Sequence, residues 1–561
     1  MSKRIVTAET AETLAGKQRE ISVSEFFLKN RHLLGFDNPR KALLTAVKEA
    51  VDNSLDACEE SGILPEVSVD ITQINANRFK VSVTDNGPGI LKSQIPKIFA
   101  KLLYGSKFHR LKMSRGQQGI GISAAGMYGQ LTTGTSTRIF SKTKGSKKAH
   151  FMEVQIDTKR NAPNVIKDEE VDWEPVFYPH SSEGKALKEV SYKSGTCVEI
   201  EMEASYFRGR LSVDEYLKQC AIVNPHLQLH YRISLIQNAE GEDEKEKSAE
   251  RSGKEREESK EMICKQGTWI TFARAVNRMP EPAQEIKPHP HGVELGMLMQ
   301  MLKDSEARTL RSALVSDFSR VSDKTALEIC EKAGVSPKAN PARIAQREIE
   351  VIYKAINETK LMRPPTDCLS PIGEEQIIAG MKKEIQADFY TAVTRAPTVY
   401  RGNPFQVEAG LAYAKPGENE DVASEEPIRL MRFANRVPLL YMAGACAMNK
   451  AAIGVNWKSY GLAQPKGSLP IGPMVLMIHI ASVWVPFTSE SKEAVAHYPE
   501  IIREITFCLQ ECGRRLSVFL SKRRRQMEAE RKRNYMAMYI PHLALGLKEV
   551  LDLSDREDLS R

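Results

Sequence analysis

The stretch from Asp37 to Ser123 leaves few folds open, because it sets an amphipathic helix, a hairpin and two glycine clusters in one fixed order. Asp37-Asn38-Pro39 is a helix-start signal, and RKALLTAVKEAVDNSLDACEESG after it predicts a helix with Leu43, Leu44, Val47, Val51, Leu55 and Cys58 on one face and Gly62 at its stop. PEVSVDIT and RFKVSVTD alternate apolar and polar residues about a short polar turn, which predicts neighbouring antiparallel strands with one buried face. The second strand runs into the tight turn Asp85-Asn86-Gly87-Pro88-Gly89. From Gly105 to Gly134 glycine is too frequent for one long helix, and further strands are expected at 150–156, 195–202, 228–236 and 268–273.

The rest of the chain divides at its prolines. Residues 239–261, with ten acidic and six basic side chains, have almost nothing to bury and predict a mobile insertion within a hairpin. PEPAQEIKPHPHG, with four prolines in 280–290, is a stiff connector into a helical stretch from Val293 to about Asn357, and RPPTDCLSPIG at 363–373 is a second joint. Residues 374–490 mix strands and turns, and a long helix is expected from about Lys492 toward the C-terminus.

At 561 residues, 41% apolar and 27% charged, about three or four domains are expected, each able to bury a core. No run approaches the roughly 18 apolar residues of a membrane helix, and the first residues lack the apolar stretch of a signal peptide, so a cytoplasmic protein with no membrane partner is expected. Nine cysteines without a Cys-x-x-Cys pair fit neither a disulfide framework nor a zinc site. The net charge of +8 permits an anionic partner without requiring one.

The chemistry concentrates in the first 200 residues. Glu49, Asn53 and Asp56 share a helix face with Asp52 beside them, and by spacing alone this is a solvated face. Asp85 at a strand end can accept a hydrogen bond from an exocyclic amine, while Gly87 and Gly89 let a ring approach the backbone. In Arg115-Gly116-Gln117-Gln118-Gly119-Ile120-Gly121-Ile122-Ser123 the glycines allow successive amides to converge on phosphate oxygens as a helix begins, without the Walker lysine or a dinucleotide-fold context.

In this order the pieces resemble the Bergerat-fold ATPases, the family of gyrase, Hsp90, histidine kinases and MutL, with boxes at Glu49–Asn53, Asp85–Gly89, Gly116–Gly121 and Ser194-Gly195-Thr196. The resemblance implies ATP and Mg²⁺ as cofactors: Glu49 as general base, Asn53 as metal ligand, Asp85 with Thr196 on the adenine amine, and the segment Gly116 to Ser123 around the phosphates. Ser106 and Lys107 would approach the phosphates as well.

KLLYGSKFHRLKMSRGQQGIGISAAGMYGQ, EIKPHPHGVELGMLMQMLK and MRPPTDCLSPIGEE narrow the likeness, over about residues 20–515, to the ATP-binding B subunits of type IIB DNA topoisomerases, the topoisomerase VI family. That implies an α+β chain: a dimer strap at 1–36, a Bergerat ATPase domain at 37–280, a helix-two-turns-helix module at 281–369, a transducer of ribosomal protein S5-like α/β character at 370–515, and a basic helical tail at 516–561. It also implies that Lys492, in ASVWVPFTSESKEAVA, reaches the γ-phosphate; alone it reads as a surface lysine at a helix start. The implied function is ATP-driven passage of one duplex through a break in another. The implied partners are a DNA-cleaving A subunit in an A2B2 heterotetramer, double-stranded DNA, and a second copy joined by ATP, placing the protein at the nucleoid. A MutL-like repair ATPase is the alternative, although it should lack the helical module.

Overall fold

Asn38 starts the first long helix, its side chain accepting from the Lys41 amide at 2.9 Å with Pro39 in the first turn, and the helix runs Pro39–Glu60. The computed structural model describes residues 14–15, 18, 20–105, 110–116, 119–179, 187–237, 263–265, 267–414, 426–489 and 491–551. Ser106, Lys107, Gln117, Gln118 and the insertion at 239–261 lie outside the described residues.

The Pro39–Glu60 helix lies on a nine-stranded sheet. Its main path runs Ile263–Lys265, Gln228–Gln237, Glu66–Asn75, Arg78–Asp85, Gly195–Glu203, Thr137–Lys142, Ala149–Asp157 and Ala162–Val171, with Ile270–Phe272 also on Gln228–Gln237. The expected hairpin is present, Val67 opposite Asp85 through Asn75 opposite Arg78. Phe79, Val81, Val83 and Asp85 are buried and alternate with half-exposed residues, so this strand turns one side to the helices. Val47, Val51 and Leu55 are fully buried against it, each worth about 1.5–3 kcal/mol.

Two features depart from the sequence expectation. Thr137–Lys142 and Ala162–Val171 are additional strands; the second is an almost wholly exposed edge with no buried face to write an alternation. The helix expected to begin at the end of the glycine segment is present as Gly121–Thr133, and its glycines serve packing: a β-carbon on Gly129 would meet the Glu201 carbonyl at 2.5 Å. The long C-terminal helix begins at Pro499 rather than near Lys492, because Phe487 pairs with Val495, Lys492 has φ +54°, and the residue before a proline disfavours helix.

Four helices, Leu295–Asp304, Leu310–Asp317, Asp323–Ala333 and Gln346–Glu358, enclose a separate core around Leu298, Leu314, Ile329 and Ile352. Beyond them a second sheet runs Phe389–Thr394, Asn403–Tyr413, Met474–Ser482, Arg429–Ala434 and Val437–Pro438, with Thr398–Tyr400 also on Asn403–Tyr413. Every residue of Met474–Ser482 is buried, because helices cover both faces. The Ala447–Gly454 helix and the Pro499–Leu551 helix pack on one. The Glu374–Glu384 helix packs on the other together with Ile222 and Val223 from the first unit. A β-carbon on Gly380 would meet the Ile222 carbonyl at 2.1 Å, which measures how closely the two units approach.

Candidate active site

Burial sorts the carboxylates that spacing alone would leave in water. Asp52 and Asp56 are 5% and 6% exposed. Tyr216 donates its hydroxyl to Asp52 Oδ1 at 3.1 Å, and burial pushes Asp52 up to about 7. Asp56 accepts from Arg115 Nη1 at 3.0 Å and from the Gly116 amide at 3.3 Å. The solvated-face reading therefore fails for these two, while Glu49 and Asn53, on the same helix, line a cavity of about 580 Å³.

Asp85 sits at one side of that cavity, held by Ser54 Oγ at 3.0 Å and by the amides of Gly87 at 2.9 Å and Thr196 at 3.2 Å. Burial pushes its carboxyl up to about 6, against those three hydrogen bonds. The approach of strand to strand here demands glycine: a β-carbon on Gly195 would meet the Asp85 carbonyl at 2.1 Å, and one on Gly89 the Lys142 carbonyl at 2.2 Å. Gly89 and Thr196 line the cavity, whereas Gly87 acts through the amide that orients Asp85.

Gly116, Gly119, Ile120, Gly121 and Ile122 line the same cavity. Ser123 does not: its hydroxyl lies 2.7 Å from the Ile98 carbonyl and 3.1 Å from that of Lys101, fastening the helix start to the preceding segment. Gln117, Gln118, Ser106 and Lys107, expected in the same wall, are outside the described residues.

The second sheet completes the enclosure through Leu439, Leu440, Tyr441, Lys492 and Glu493. Lys492 is no helix-start lysine; it lies in a loop in the left-handed conformation and donates Nζ to the Arg115 carbonyl at 3.4 Å. Burial lowers its pKa, while nearby Glu49 pulls the other way. One cation and one carboxylate from separate units thus face a common cavity.

Sequence reasoning missed three participants. Lys41 in the first helical turn pairs with Glu493 at 2.5 Å and Asp37 at 3.3 Å, tying the helix start to the Lys492 loop. Arg115, to which the sequence assigns no role, is 6% exposed and forks onto Glu59 at 2.6 and 2.8 Å and onto Asn224 at 2.6 Å. Tyr441 joins the cavity wall beneath Lys41. The signal for Arg115 was present in Glu59, one turn beyond Asp56 and facing the same way.

Among the described residues no three His, Cys, Asp or Glu side chains cluster as a metal site. An ion here would be held by Asn53 with ligand oxygens and water, a donor set that suits Mg²⁺. No described helix is long and apolar enough to cross a membrane.

Comparison with known proteins agrees with this arrangement. Residues 42–181 match the histidine kinase-, DNA gyrase B- and HSP90-like ATPase family, and residues 364–532 match the topoisomerase VI B-subunit transducer family. The B subunit of the type 2 DNA topoisomerase 6 of Methanosarcina mazei is 47% identical over 543 residues, covering 97% of this chain and 79% of the relative. The corresponding chain of Archaeoglobus fulgidus is 44% identical over 96% of this chain and 81% of the relative, and that of Natronomonas pharaonis 33% identical over 98% and 85%. These matches favour the topoisomerase reading over the MutL-like one. A likeness of this extent, carried through both units that enclose the cavity, shows that the chain belongs to the family of type 2 DNA topoisomerase 6 B subunits.

Proposed function

We propose that the protein is the ATP-binding and ATP-hydrolysing subunit of a type II DNA topoisomerase, which passes one duplex through a transient double-strand break in another. The observation that carries this is the enclosure of Glu49, Asn53, Asp85 and the glycine segment in one cavity that Lys492 enters from the second unit.

Each residue's part follows from its setting. Asp85, fixed by three hydrogen bonds, accepts the adenine amine with Thr196 beside it. The amides from Gly116 to Gly121 cradle phosphate oxygens as the helix begins. Glu49 takes the proton of the attacking water. Asn53 would hold Mg²⁺, which would offset the charge of the phosphates. Lys492, half-buried and resting on a carbonyl, exchanges that weak contact for the γ-phosphate and so reports the bound nucleotide to the second sheet.

In this reading residues 37–280 form the ATPase domain, 281–369 a helix-two-turns-helix spacer, 370–515 the transducer and 516–561 the basic tail. ATP joins two copies through the N-terminal segment, and a separate A subunit in an A2B2 assembly on double-stranded DNA supplies the cleaving nucleophile. The chain with ATP and Mg²⁺ should then hydrolyse nucleotide and, with a non-hydrolysable analogue, sediment as a dimer. It should leave supercoiled plasmid unrelaxed until the A subunit is added, at matched salt. A covalent adduct of this chain alone with DNA overturns the division of labour; absence of nucleotide binding overturns the whole reading.

A further inference from the structure

The root of the glycine segment, Ser114 to Gly116, is gripped from both units. From the ATPase side, Arg115 is locked by Asp56, Glu59 and Asn224. From the other side, Asn435 Nδ2 donates to the Ser114 carbonyl at 3.0 Å, a contact independent of Lys492. Asn435 and Arg436 form the tight turn between strands Arg429–Ala434 and Val437–Pro438, at φ +48° and +65°. Two consecutive left-handed residues, neither of them glycine, persist only where their surroundings fix them.

The surroundings do fix them. Asn435 also exchanges side-chain hydrogen bonds with Ser482, donating to its carbonyl and accepting from its amide, each at 2.9 Å. Arg436 donates from Nη2 to the carbonyls of Ser370 and Pro371 and reaches Glu59 Oε2 with Nη1 at 3.9 Å. Its amide donates to His479 Nε2 at 3.0 Å. An acceptor at Nε2 requires the proton on Nδ1, which donates to Glu408 Oε2 at 2.8 Å. Glu408 in turn accepts from the amides of Ile372 and Gly373 at 2.8 Å. His479 and Glu408 are wholly buried on the two central strands of the second sheet.

We propose that the Asn435–Arg436 turn is a second coupling element, parallel to Lys492, through which the root of the glycine segment sets the position of the second sheet. Asn435 and Arg436 are positioning residues. The residues just beyond the turn, Leu439 to Tyr441, themselves wall the cavity, and Arg432 Nη2 donates to the carbonyls of Leu439 and Tyr441 at 2.7 and 2.8 Å. A change in the glycine segment therefore meets a hydrogen-bonded path into Met474–Ser482 that bypasses the lysine. The inference rests on the reading of the cavity as a nucleotide site.

Hydrogen exchange of the full chain, with and without a non-hydrolysable ATP analogue and Mg²⁺, tests it. In the native protein the analogue should slow exchange about tenfold or more in 110–116, 432–441 and 474–482. Arg436→Asn and Asn435→Gly both tolerate the left-handed turn. Each should bind the analogue within about threefold of native affinity and keep protection at 110–116, but lose at least half of the slowing at 474–482, the remainder being carried through Lys492. Should Arg436→Asn melt far below the native protein, Asn435→Gly decides alone. Lys492→Met should retain at least half of the response at 474–482. Native protection at 474–482 in the turn variants, or its loss in Lys492→Met, overturns the second path. Failure of the native chain to bind the analogue overturns the nucleotide reading, and the coupling with it.

Discussion

Gly121 lies so close to Glu49 that a β-carbon added to it would stand 1.7 Å from Oε2. The first residue of the Gly121–Thr133 helix is thus the floor on which the carboxylate rests. Because the obstructing atoms are the end of a flexible side chain, Gly121→Ala should move Glu49 rather than unfold the helix. Alanine gains up to about 1 kcal/mol of helix propensity over glycine. The expected outcome is a melting temperature equal to or above native with ATP hydrolysis reduced about tenfold or more, as a displaced general base implies. Turnover and thermal melting on the same preparation check it; native turnover would mean that Glu49 is not the base.

If Asp85 receives the adenine amine as proposed, nucleotide affinity should depend on pH. Burial raises its pKa to about 6, so the empty pocket holds a proton there below that pH, and a protonated carboxyl accepts an amine hydrogen bond poorly. Affinity should be full above pH 7 and fall about tenfold per unit as pH drops below about 6. Asp85→Asn should weaken binding at pH 7.5 by roughly 10–100-fold, the worth of a charge-assisted hydrogen bond, and flatten this limb. Titration calorimetry of both proteins from pH 5 to 8 separates Asp85 from the phosphates' own ionisation.

Much of this architecture was legible because local chemistry and global position agree. The Pro39–Glu60 helix declares its cap and its apolar stripe, and Arg78–Asp85 its alternation. The cavity-lining glycines could be named because turn glycines leave a sequence signal. What the sequence hid depends on distant partners. Ala162–Val171 has no buried face to pattern it, and Asp56 looks solvated until Arg115 arrives from 59 positions away. Lys492 could be placed in the cavity only through resemblance, and its loop was mistaken for a helix because apolar residues there face a hairpin rather than a helical stripe.

Arg115 should carry unusual weight in stability. It is 3% exposed at the side chain and serves Asp56 and Glu59, both partly or wholly shielded from water. Against the burial that pushes Glu59 up, Arg115 and His226 hold its carboxyl well below the usual range. A depressed carboxylate contributes stability above its unfolded pKa, about 4.3, which is lost as pH falls through the folded value. Arg115→Met keeps the stem but strands two carboxylates, and should cost about 3–5 kcal/mol near neutrality. Its deficit should shrink on acidification, as Glu59 takes up a proton. Urea unfolding at pH 7 and pH 4.5 checks this; a deficit independent of pH would assign the effect to packing alone.

Lys492 is the sharpest test of how the two units communicate. Its ammonium makes a 3.4 Å contact with the Arg115 carbonyl, a long hydrogen bond that a phosphate oxygen would readily replace. Burial already lowers its pKa, so the site carries the cost of an incompletely compensated charge. An arriving γ-phosphate relieves that cost, and ADP does not supply one. Lys492→Met removes the charge and keeps most of the stem, so ADP should bind within about threefold of native, while ATP-analogue affinity drops by about 1.5–3 kcal/mol, the worth of a hydrogen bond to a charged group. The variant should lose the native preference for ATP over ADP without a lower melting temperature, since the contact it gives up is a long one to a neutral carbonyl. Binding of the two nucleotides to both proteins decides the matter: equal losses for ADP and ATP would show a damaged joint between the sheets, and unchanged discrimination would remove Lys492 from the site.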